Sequence, residues 1–268
     1  MPELSQKKGN CLGYPHYSVP VVVFADLVFT ALTGGKRRFK AHANRMMGGI
    51  RPPLVVLRKE NVPQGGPMVI TVNHYYRAGF WTPWFAAAIS ATVPADIYWT
   101  ITGAWTYPGQ RFGRLKRWLS GQMLARVARV YGFNSMPPMP PAPEEATQRA
   151  EAVRRLVHTI RANPNALVAL APEGGDQPGS VLGSPPSGFG RLALTLAGRG
   201  MPFIPVGAYE EDGCFWLCFG EAYRLENRGG SRQEEDRWAA DQVMRRIAGC
   251  LPGRLRGEYG GRGNRLPS

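Results

Sequence analysis

Residues 65–80 read GGPMVITVNHYYRAGF, and this stretch decides the predicted fold. Its apolar run MVITV is rich in β-branched side chains, so it predicts a buried strand that ends at Asn73 and His74. A helix is predicted shortly afterwards, over 81–90. A strand that leads into a helix is the repeating unit of α/β folds, and here an imidazole stands at the junction.

The same alternation continues outward along the chain. Strands are predicted at 54–57, 68–72, 97–102, 166–170, 203–208 and 214–219, and helices at 81–90, 114–131, 144–161, 188–200 and 234–250. This order predicts an α/β fold with a largely parallel central sheet flanked by helices, in one domain over 51–250. The proline-rich stretch SMPPMPPAP at 135–143 is interpreted as a surface loop, because the alternation resumes after it.

Two helical pieces precede this domain within residues 1–50 and predict a helical hairpin. The first contains an apolar run over 19–32 that is shorter than the roughly 20 residues of a spanning helix and contains Asp26. Four cations follow it directly, at Lys36, Arg37, Arg38 and Lys40. An apolar helix beside cations is typical of a segment lying against an anionic membrane surface. A hairpin packed on its own domain, with solvated charges, is the alternative. The Gly- and Arg-rich tail over 251–268 is predicted to be loosely ordered.

Composition narrows the choice of partner. The net charge of +14 indicates an anionic partner, which could be nucleic acid, a membrane surface or a phosphate-bearing substrate. Zinc-finger spacing, RNP-like aromatics and a basic region with heptads are all missing from the sequence, so nucleic acid is not expected. The four cysteines lack metal-ligand spacing, and no metal is predicted. No secretory signal pattern is recognised near the start, which favours a cytoplasmic protein.

Three strand ends carry the candidate chemistry. The first strand ends at Asn73 and His74, the second is followed by Pro-Glu-Gly-Gly containing Glu173, and the third contains IPVG at 204–207. Ligands of open α/β sheets bind outside the carboxyl ends of the strands, so these ends predict one shared pocket. Each motif also has a structural interpretation, because a lone histidine after a strand is usually structural and Pro-Glu-Gly-Gly usually forms a turn.

Taken in order, VNHYYRAG, APEGGD and FIPVG resemble the motifs of the membrane-associated glycerolipid acyltransferases, which include the lysophospholipid and 1-acylglycerol-3-phosphate acyltransferases. The family pattern is N-H-x4-D after a strand, an arginine-bearing block, F-P-E-G-T-R, and a strand containing (V/I)-P-V. The resemblance covers roughly residues 50–210.

The resemblance implies transfer of a fatty acyl group from acyl-CoA or acyl-carrier protein to a lipid-like hydroxyl. His74 is implied as the general base, and no cofactor is required because the thioester is already activated. The protein is expected at the inner face of the cell membrane. The residues expected to bind substrate are Asn73, Arg77, Glu173, Gly174, Gly175 and Arg126.

Departures from the family pattern leave a second interpretation open. Gly79 stands where the family has the aspartate that orients the histidine. Loss of such a carboxylate costs about 10⁴ in rate in a serine-protease triad. Gly175-Asp176 replaces the threonine and arginine after the third block, which makes a glycerol-phosphate acceptor less expected. The alternative is a non-catalytic lipid- or acyl-binding protein. The carboxylates that could replace the aspartate are Glu173, Asp176, Glu210, Glu211 and Asp212.

Overall fold

The computed structural model describes residues 13–175 and 180–261. Its α-helices are α1 (Val21–Thr33), α2 (Phe39–Met47), α3 (Pro83–Thr92), α4 (Gly113–Tyr131), α5 (Ala146–Ala162), α6 (Phe189–Ala197) and α7 (Arg232–Ala248). Its strands are β1 (Val55–Leu57), β2 (Met68–Val72), β3 (Ile97–Thr102), β4 (Asn134–Met136), β5 (Leu167–Leu170), β6 (Phe203–Glu211) and β7 (Cys214–Phe219). Short 3-10 turns connect several of these elements.

The strands form one mixed sheet in the order β1-β7-β6-β2-β5-β3-β4. Five neighbouring strands, from β6 through β4, pair in parallel, and β6 and β7 form an antiparallel hairpin. In the parallel part, Ile70 of β2 pairs with Ala169 of β5 on one side and Ile204 of β6 on the other. The carboxyl ends of β2 and β5 therefore lie side by side.

The sequence of the central strands explains their position. Val69, Ile70, Val72 and all four residues of β5 are buried, which is the pattern of a parallel strand covered on both faces. Among the seven α-helices of the described residues, only α7 has a side-chain cap at its N-terminus. Helix α7 begins with a reciprocal capping box between Ser231 and Glu234. The predicted α/β fold with a mostly parallel sheet is confirmed.

Two local predictions were wrong. Residues 135 and 136 of the proline-rich loop belong to β4, which pairs with Thr100–Thr102 at the sheet edge. The beginning of the C-terminal tail is folded rather than loose. Leu251, Leu255 and Tyr259 are buried against the core, and the last two lie within two 3-10 turns. Residues 262–268 lie outside the described part of the chain.

The N-terminal helices are held together by a polar contact within an apolar surface. The carboxylate of Asp26 in α1 lies 2.7 Å from Nε2 of His42 in α2, and Nδ1 of His42 lies 2.7 Å from the hydroxyl of Tyr131 in α4. Hydrogen bonds from Arg37 and His42 lower the pKa of Asp26 to about 2. Within the described residues, none of the helices has the length and apolar character needed to cross a membrane.

Candidate functional site

His74 and Glu173 meet at the carboxyl edge of the sheet, as the parallel arrangement of β2 and β5 predicts. Oε2 of Glu173 accepts a hydrogen bond from the backbone N–H of His74. Oε1 of the same carboxylate accepts the backbone N–H of Gly183 at 2.9 Å. The carboxylate thus connects the histidine loop to the loop that leads into α6. The predicted proximity of the two residues, 99 positions apart, is confirmed.

The backbone around His74 is fixed on both sides. The N–H of Tyr75 donates to the carbonyl of Asn73 at 3.0 Å, which makes His74 the central residue of a three-residue γ-turn. The Asn73 side chain, buried, donates to the carbonyl of Ala208 at 2.9 Å and accepts its N–H at 2.8 Å. Asn73 therefore fastens the end of β2 to β6, and its amide is engaged with backbone rather than presented to a substrate.

The imidazole of His74 packs against α3. Its ring meets the Phe85 ring edge-on, with 5.6 Å between the centroids and an interplanar angle of 73°. Aromatic rings favour edge-to-face contacts, so this contact stabilises the imidazole against α3. The side chain as a whole is only partly buried.

Glu173 owes its position to a tight turn. The N–H of Gly174 donates to the carbonyl of Ala171 at 3.1 Å, with Pro172 and Glu173 between them. Gly174 has a φ of +74°, and a Cβ there would lie 2.8 Å from Cγ of Met139, so glycine is required on both grounds. Because its N–H closes the turn, Gly174 serves the loop shape. Gly175 follows at the last described position before 180.

Burial raises the pKa of Glu173, and the hydrogen bonds from Gly183 and His74, followed by the nearby imidazole, act in the opposite direction. A carboxylate that accepts two backbone N–H groups is well solvated by the protein despite its burial. Its geometry is that of a residue that positions the histidine loop.

Gly79 occupies a turn that disfavours the family's aspartate. The N–H of Phe80 donates to the carbonyl of Arg77 at 3.0 Å, and Gly79, third in this four-residue turn, has a φ of +82°. These features are those of a type II turn, which requires a positive φ at its third residue and favours glycine there. A Cβ at position 79 would lie 3.2 Å from Nη1 of Arg77.

Arg77 is paired with Glu210, a carboxylate that the sequence indicated only as a possible partner of His74. Its guanidinium forms a two-pronged ion pair with Glu210, at 2.9 Å for Nη2 to Oε1 and with a second contact from Nε. Glu210 also accepts the hydroxyls of Tyr17 at 2.6 Å and Tyr75 at 3.0 Å. The ring of Tyr14 covers the guanidinium at 3.8 Å. Arg77, which the sequence predicts as a substrate-binding residue, is therefore built into a largely buried network.

The remaining predicted residues are distributed differently. Arg126 is exposed on α4, where its guanidinium donates to the carbonyl of Gln122 at 3.2 Å. Glu211, at the end of β6, pairs with Arg254 in the 3-10 turn after α7. Asp212 is exposed with a φ of +49°, and Asp176 lies outside the described residues. In the described ranges 13–175 and 180–261, no group of three or more His, Cys, Asp or Glu could hold a metal ion.

The arrangement suits proton transfer. An imidazole at a sheet edge, with its backbone fixed by Glu173, Asn73 and Tyr75, can take a proton from a hydroxyl placed next to it. The Glu210 network was missed because its partners, Tyr17, Tyr75 and Arg77, lie far from it in sequence. The only sequence signal was an acidic pair that follows an apolar strand at 210–211.

Comparisons with known proteins agree with this fold. The model of the family described as Acyltransferase matches residues 54–209, which is more than half of the chain. Among solved structures, the chain is similar to the 1-acyl-sn-glycerophosphate (LPA) acyltransferase PlsC from Thermotoga maritima, with a TM-score of 0.51 and 12% identity. That match covers 84% of this chain and 87% of the Thermotoga chain, and at this identity it shows the fold alone. No curated protein matches.

Proposed function

Because the chain belongs to the acyltransferase family, we propose that it transfers a fatty acyl group from acyl-CoA or acyl-carrier protein to the hydroxyl of a lipid-like acceptor, with His74 as general base. The observation that carries the proposal is the fixed position of His74. Its backbone is tied to Glu173 and its two neighbours are tied to β6. General-base catalysis needs this kind of defined placement, since the proton acceptor must be in hydrogen-bond reach of the hydroxyl.

The reaction follows from the chemistry of the groups. A ring nitrogen of His74 takes the hydroxyl proton as the hydroxyl oxygen attacks the thioester carbonyl carbon. The tetrahedral adduct collapses, the carbon–sulfur bond breaks, and the proton passes from the imidazolium to the leaving thiolate. The products are an oxygen ester and a free thiol. The thioester is activated already, so the step requires no organic cofactor.

We propose Asp176 as the carboxylate that supports the His74 imidazolium. Of the five sequence candidates, Glu210 serves Arg77 and two tyrosines, Glu211 pairs with Arg254, and Asp212 is exposed between β6 and β7. Both oxygens of Glu173 accept backbone N–H groups. Asp176 is three residues beyond Glu173 in the sequence, next to the turn that meets His74.

We propose that the protein has no dedicated site for a phosphate group on the acceptor. Arg77 is neutralised by Glu210, and Arg126 lies exposed on α4 with its guanidinium on its own helix. The threonine and arginine that would follow Gly174 in the family are replaced by Gly175 and Asp176. A lipid alcohol without a phosphate therefore suits these residues better than a glycerol phosphate, because a carboxylate repels an anion.

The proposed location is the inner face of the cell membrane, with the protein bound peripherally through α1. Its outward side chains are apolar and exposed, namely Val21, Val22, Phe24, Val28, Phe29 and Leu32. An apolar helix face of this kind lies in the boundary between headgroups and acyl chains. Acyl chains of donor and acceptor would reach the enzyme from the same boundary.

Replacement of His74 by alanine tests the activity. We expect thiol release from acyl-CoA in the presence of monoacylglycerol vesicles to fall by about 10²–10⁴, since this is the usual contribution of a general base. Asp176→Asn should give a loss in the same direction. The matched control is His158→Ala, since His158 is exposed on α5. Equal rates for the His74 and His158 variants would remove His74 from the mechanism.

A non-catalytic lipid-binding protein is the second candidate. The observation that favours it is Gly79, which occupies a type II turn in place of the family's carboxylate. In that case, neither the native protein nor any His74 variant would release thiol from acyl-CoA or acyl-carrier protein. Fluorescent acyl-lipid binding, measured in parallel, would then be unchanged by the His74→Ala replacement.

A further inference from the structure

Helix α4 exposes an apolar stripe that no described element covers. Its members recur at spacings of three and four residues and are between 44% and 63% exposed, at Phe112, Leu115, Trp118, Leu119 and Met123. Only Ser120, Ala128 and Val130 of this 19-residue helix are buried. A helix of a soluble domain normally buries its apolar stripe, so a stripe left outside marks an interaction surface.

The charged residues of the sequence segment that contains the stripe are all of one sign. Between residues 97 and 143 the sequence has no aspartate or glutamate. Six cations fall in the same interval, at Arg111, Arg114, Lys116, Arg117, Arg126 and Arg129. Arg117 is paired with Glu145, whereas Arg114, Arg126 and Arg129 are exposed on the helix. A basic amphipathic helix with tryptophan and leucine on its apolar side is the pattern of a membrane-surface helix.

The position of α4 relates this stripe to the candidate site. β3 runs parallel to β5 and β2, so its carboxyl end at Thr102 lies at the same sheet edge as His74 and Glu173. The chain leaves that end through residues 103–112 and enters the first turns of α4, which carry Leu115, Trp118 and Leu119. Helix α4 also packs against α1. The two exposed apolar helices are therefore neighbours.

We propose that α4 is a second membrane-docking helix, whose occupant is the surface of an anionic phospholipid bilayer. Two copies of this chain are a poorer fit for the stripe, because two helices that carry only cations would repel each other. Docking through the N-terminal half of α4 brings the carboxyl edge of the sheet to the bilayer. Docking through α4 deepens the proposed function. The docking itself does not depend on acyl transfer, but the purpose given to it does.

The test measures binding and needs no catalysis. The full chain is cosedimented with vesicles of phosphatidylglycerol and phosphatidylcholine, and compared with the triple variant Leu115→Gln, Trp118→Gln, Leu119→Gln. These side chains are exposed, so the fold should tolerate the changes, which circular dichroism and the melting temperature would verify. We expect the partition coefficient to fall by about tenfold or more, because the apolar area that enters the boundary is lost.

A pair of charge variants supplies the matched control. Arg114→Glu with Lys116→Glu places acids in the first turn of α4, where a helix terminus favours them. Arg154→Glu with Arg161→Glu makes the same net change at exposed positions of α5. We expect the α4 pair to weaken vesicle binding at least tenfold more than the α5 pair.

The proposal is overturned if the triple variant cosediments like the native chain, or if the two charge pairs weaken binding equally. It is also overturned if the native chain is a dimer that the triple variant dissociates while vesicle binding stays the same. The proposal is supported if the triple variant no longer binds vesicles but still releases thiol when the acceptor is dispersed in detergent. A native chain that binds vesicles through α4 but releases no thiol would separate failure of the acyltransferase proposal from failure of the docking.

Discussion

At the scale of single residues, the site is organised by groups that hold the backbone of His74. Glu173 accepts the N–H of His74, and Asn73 and Tyr75 on either side are tied to Ala208 and Glu210. Each bond fixes the turn from which the imidazole projects. An imidazole on a fixed backbone loses little entropy when a hydroxyl is placed beside it. Supporting residues usually contribute to catalysis by this preorganisation.

Gly79→Asp restores the carboxylate of the family motif, and we expect no gain in acyl transfer. The positive φ at position 79 costs an aspartate about 1–2 kcal/mol. The new side chain would also start 3.2 Å from Nη1 of Arg77, and an ion pair with that guanidinium would hold it. Thiol release from acyl-CoA and the melting temperature are the measurements, and the second should fall by a few degrees.

Gly79→Asn is the matched variant, because asparagine has nearly the same size and tolerates positive φ similarly. Equal turnover in the two variants is the expected outcome. If Gly79→Asp exceeds Gly79→Asn in turnover by tenfold or more, a carboxylate at position 79 does orient His74, and the assignment of that role to Asp176 is wrong.

At the scale of elements, Glu210 joins three parts of the chain. Its carboxylate binds Tyr17 ahead of α1, Tyr75 after β2, and Arg77 in the turn before α3. Burial and Glu210 together raise the pKa values of Tyr17 and Tyr75. Both phenols therefore stay protonated as donors. The end of β6 is thereby locked to the histidine loop and to the N-terminal segment.

Replacement of Glu210 by glutamine should destabilise the protein by about 3–5 kcal/mol, because it leaves Arg77 without its charge partner in a largely buried place. Urea unfolding measures the change. The matched control is Glu211→Gln, which breaks the more exposed pair with Arg254 and should cost less than about 1 kcal/mol.

The double variant Glu210→Gln, Arg77→Gln sharpens this test. Its loss of stability should be smaller than the sum of the two single losses, since each single variant leaves a buried group unpaired. Additive losses, or equal losses for Glu210→Gln and Glu211→Gln, would contradict the structural role of the network.

Elements with a strong local pattern could be predicted from the sequence. The bounds of β2, β3 and β7 agree with those predicted to the residue, because each is an apolar run with turn residues at its ends. β4 was missed because Asn134, Ser135 and Met136 have little strand propensity, and their pairing depends on β3 alongside. The tail was misjudged because burial of Tyr259 depends on the surface that α7 offers.

The candidate site shows the same division. That His74 and Glu173 would meet could be predicted, since neighbouring parallel strands end at one edge. The ion pair between Arg77 and Glu210 could not be predicted, because it depends on the directions of two side chains that are 133 residues apart. Likewise, Gly79 was understood as a lost carboxylate, whereas its φ of +82° shows that the local turn itself favours glycine.

At the scale of the whole molecule, charge and apolar surface act together. The chain carries a net charge of +14, and its exposed large apolar side chains are concentrated on α1 and α4. Three of the four cations after α1 are engaged by partners within the described part of the protein. Arg37 pairs with Asp26, Arg38 pairs with Asp96, and Lys40 donates to the carbonyls of Ser90 and Val93. Reversal of all four would disturb the fold as well as any membrane contact.

The apolar and electrostatic contributions to membrane binding are therefore better distinguished by varying the salt concentration than by reversing these cations. Raising the ionic strength from 0.1 M to 1 M shortens the Debye length from about 10 Å to about 3 Å, which suppresses attraction between the basic surface and anionic lipid. We expect cosedimentation of the native protein with phosphatidylglycerol vesicles to fall as salt is added and to reach a plateau.

The triple variant Val22→Gln, Phe24→Gln, Phe29→Gln should lose the binding that remains at this high-salt plateau, because all three side chains are exposed on α1. At low salt it should keep part of its binding, since its charge is unchanged. Lys36→Glu, which removes a cation and no apolar area, should weaken binding at low salt and leave the plateau in place. If the α1 variant matches the native protein at 1 M salt, α1 does not enter the bilayer boundary, and its exposed face serves another contact.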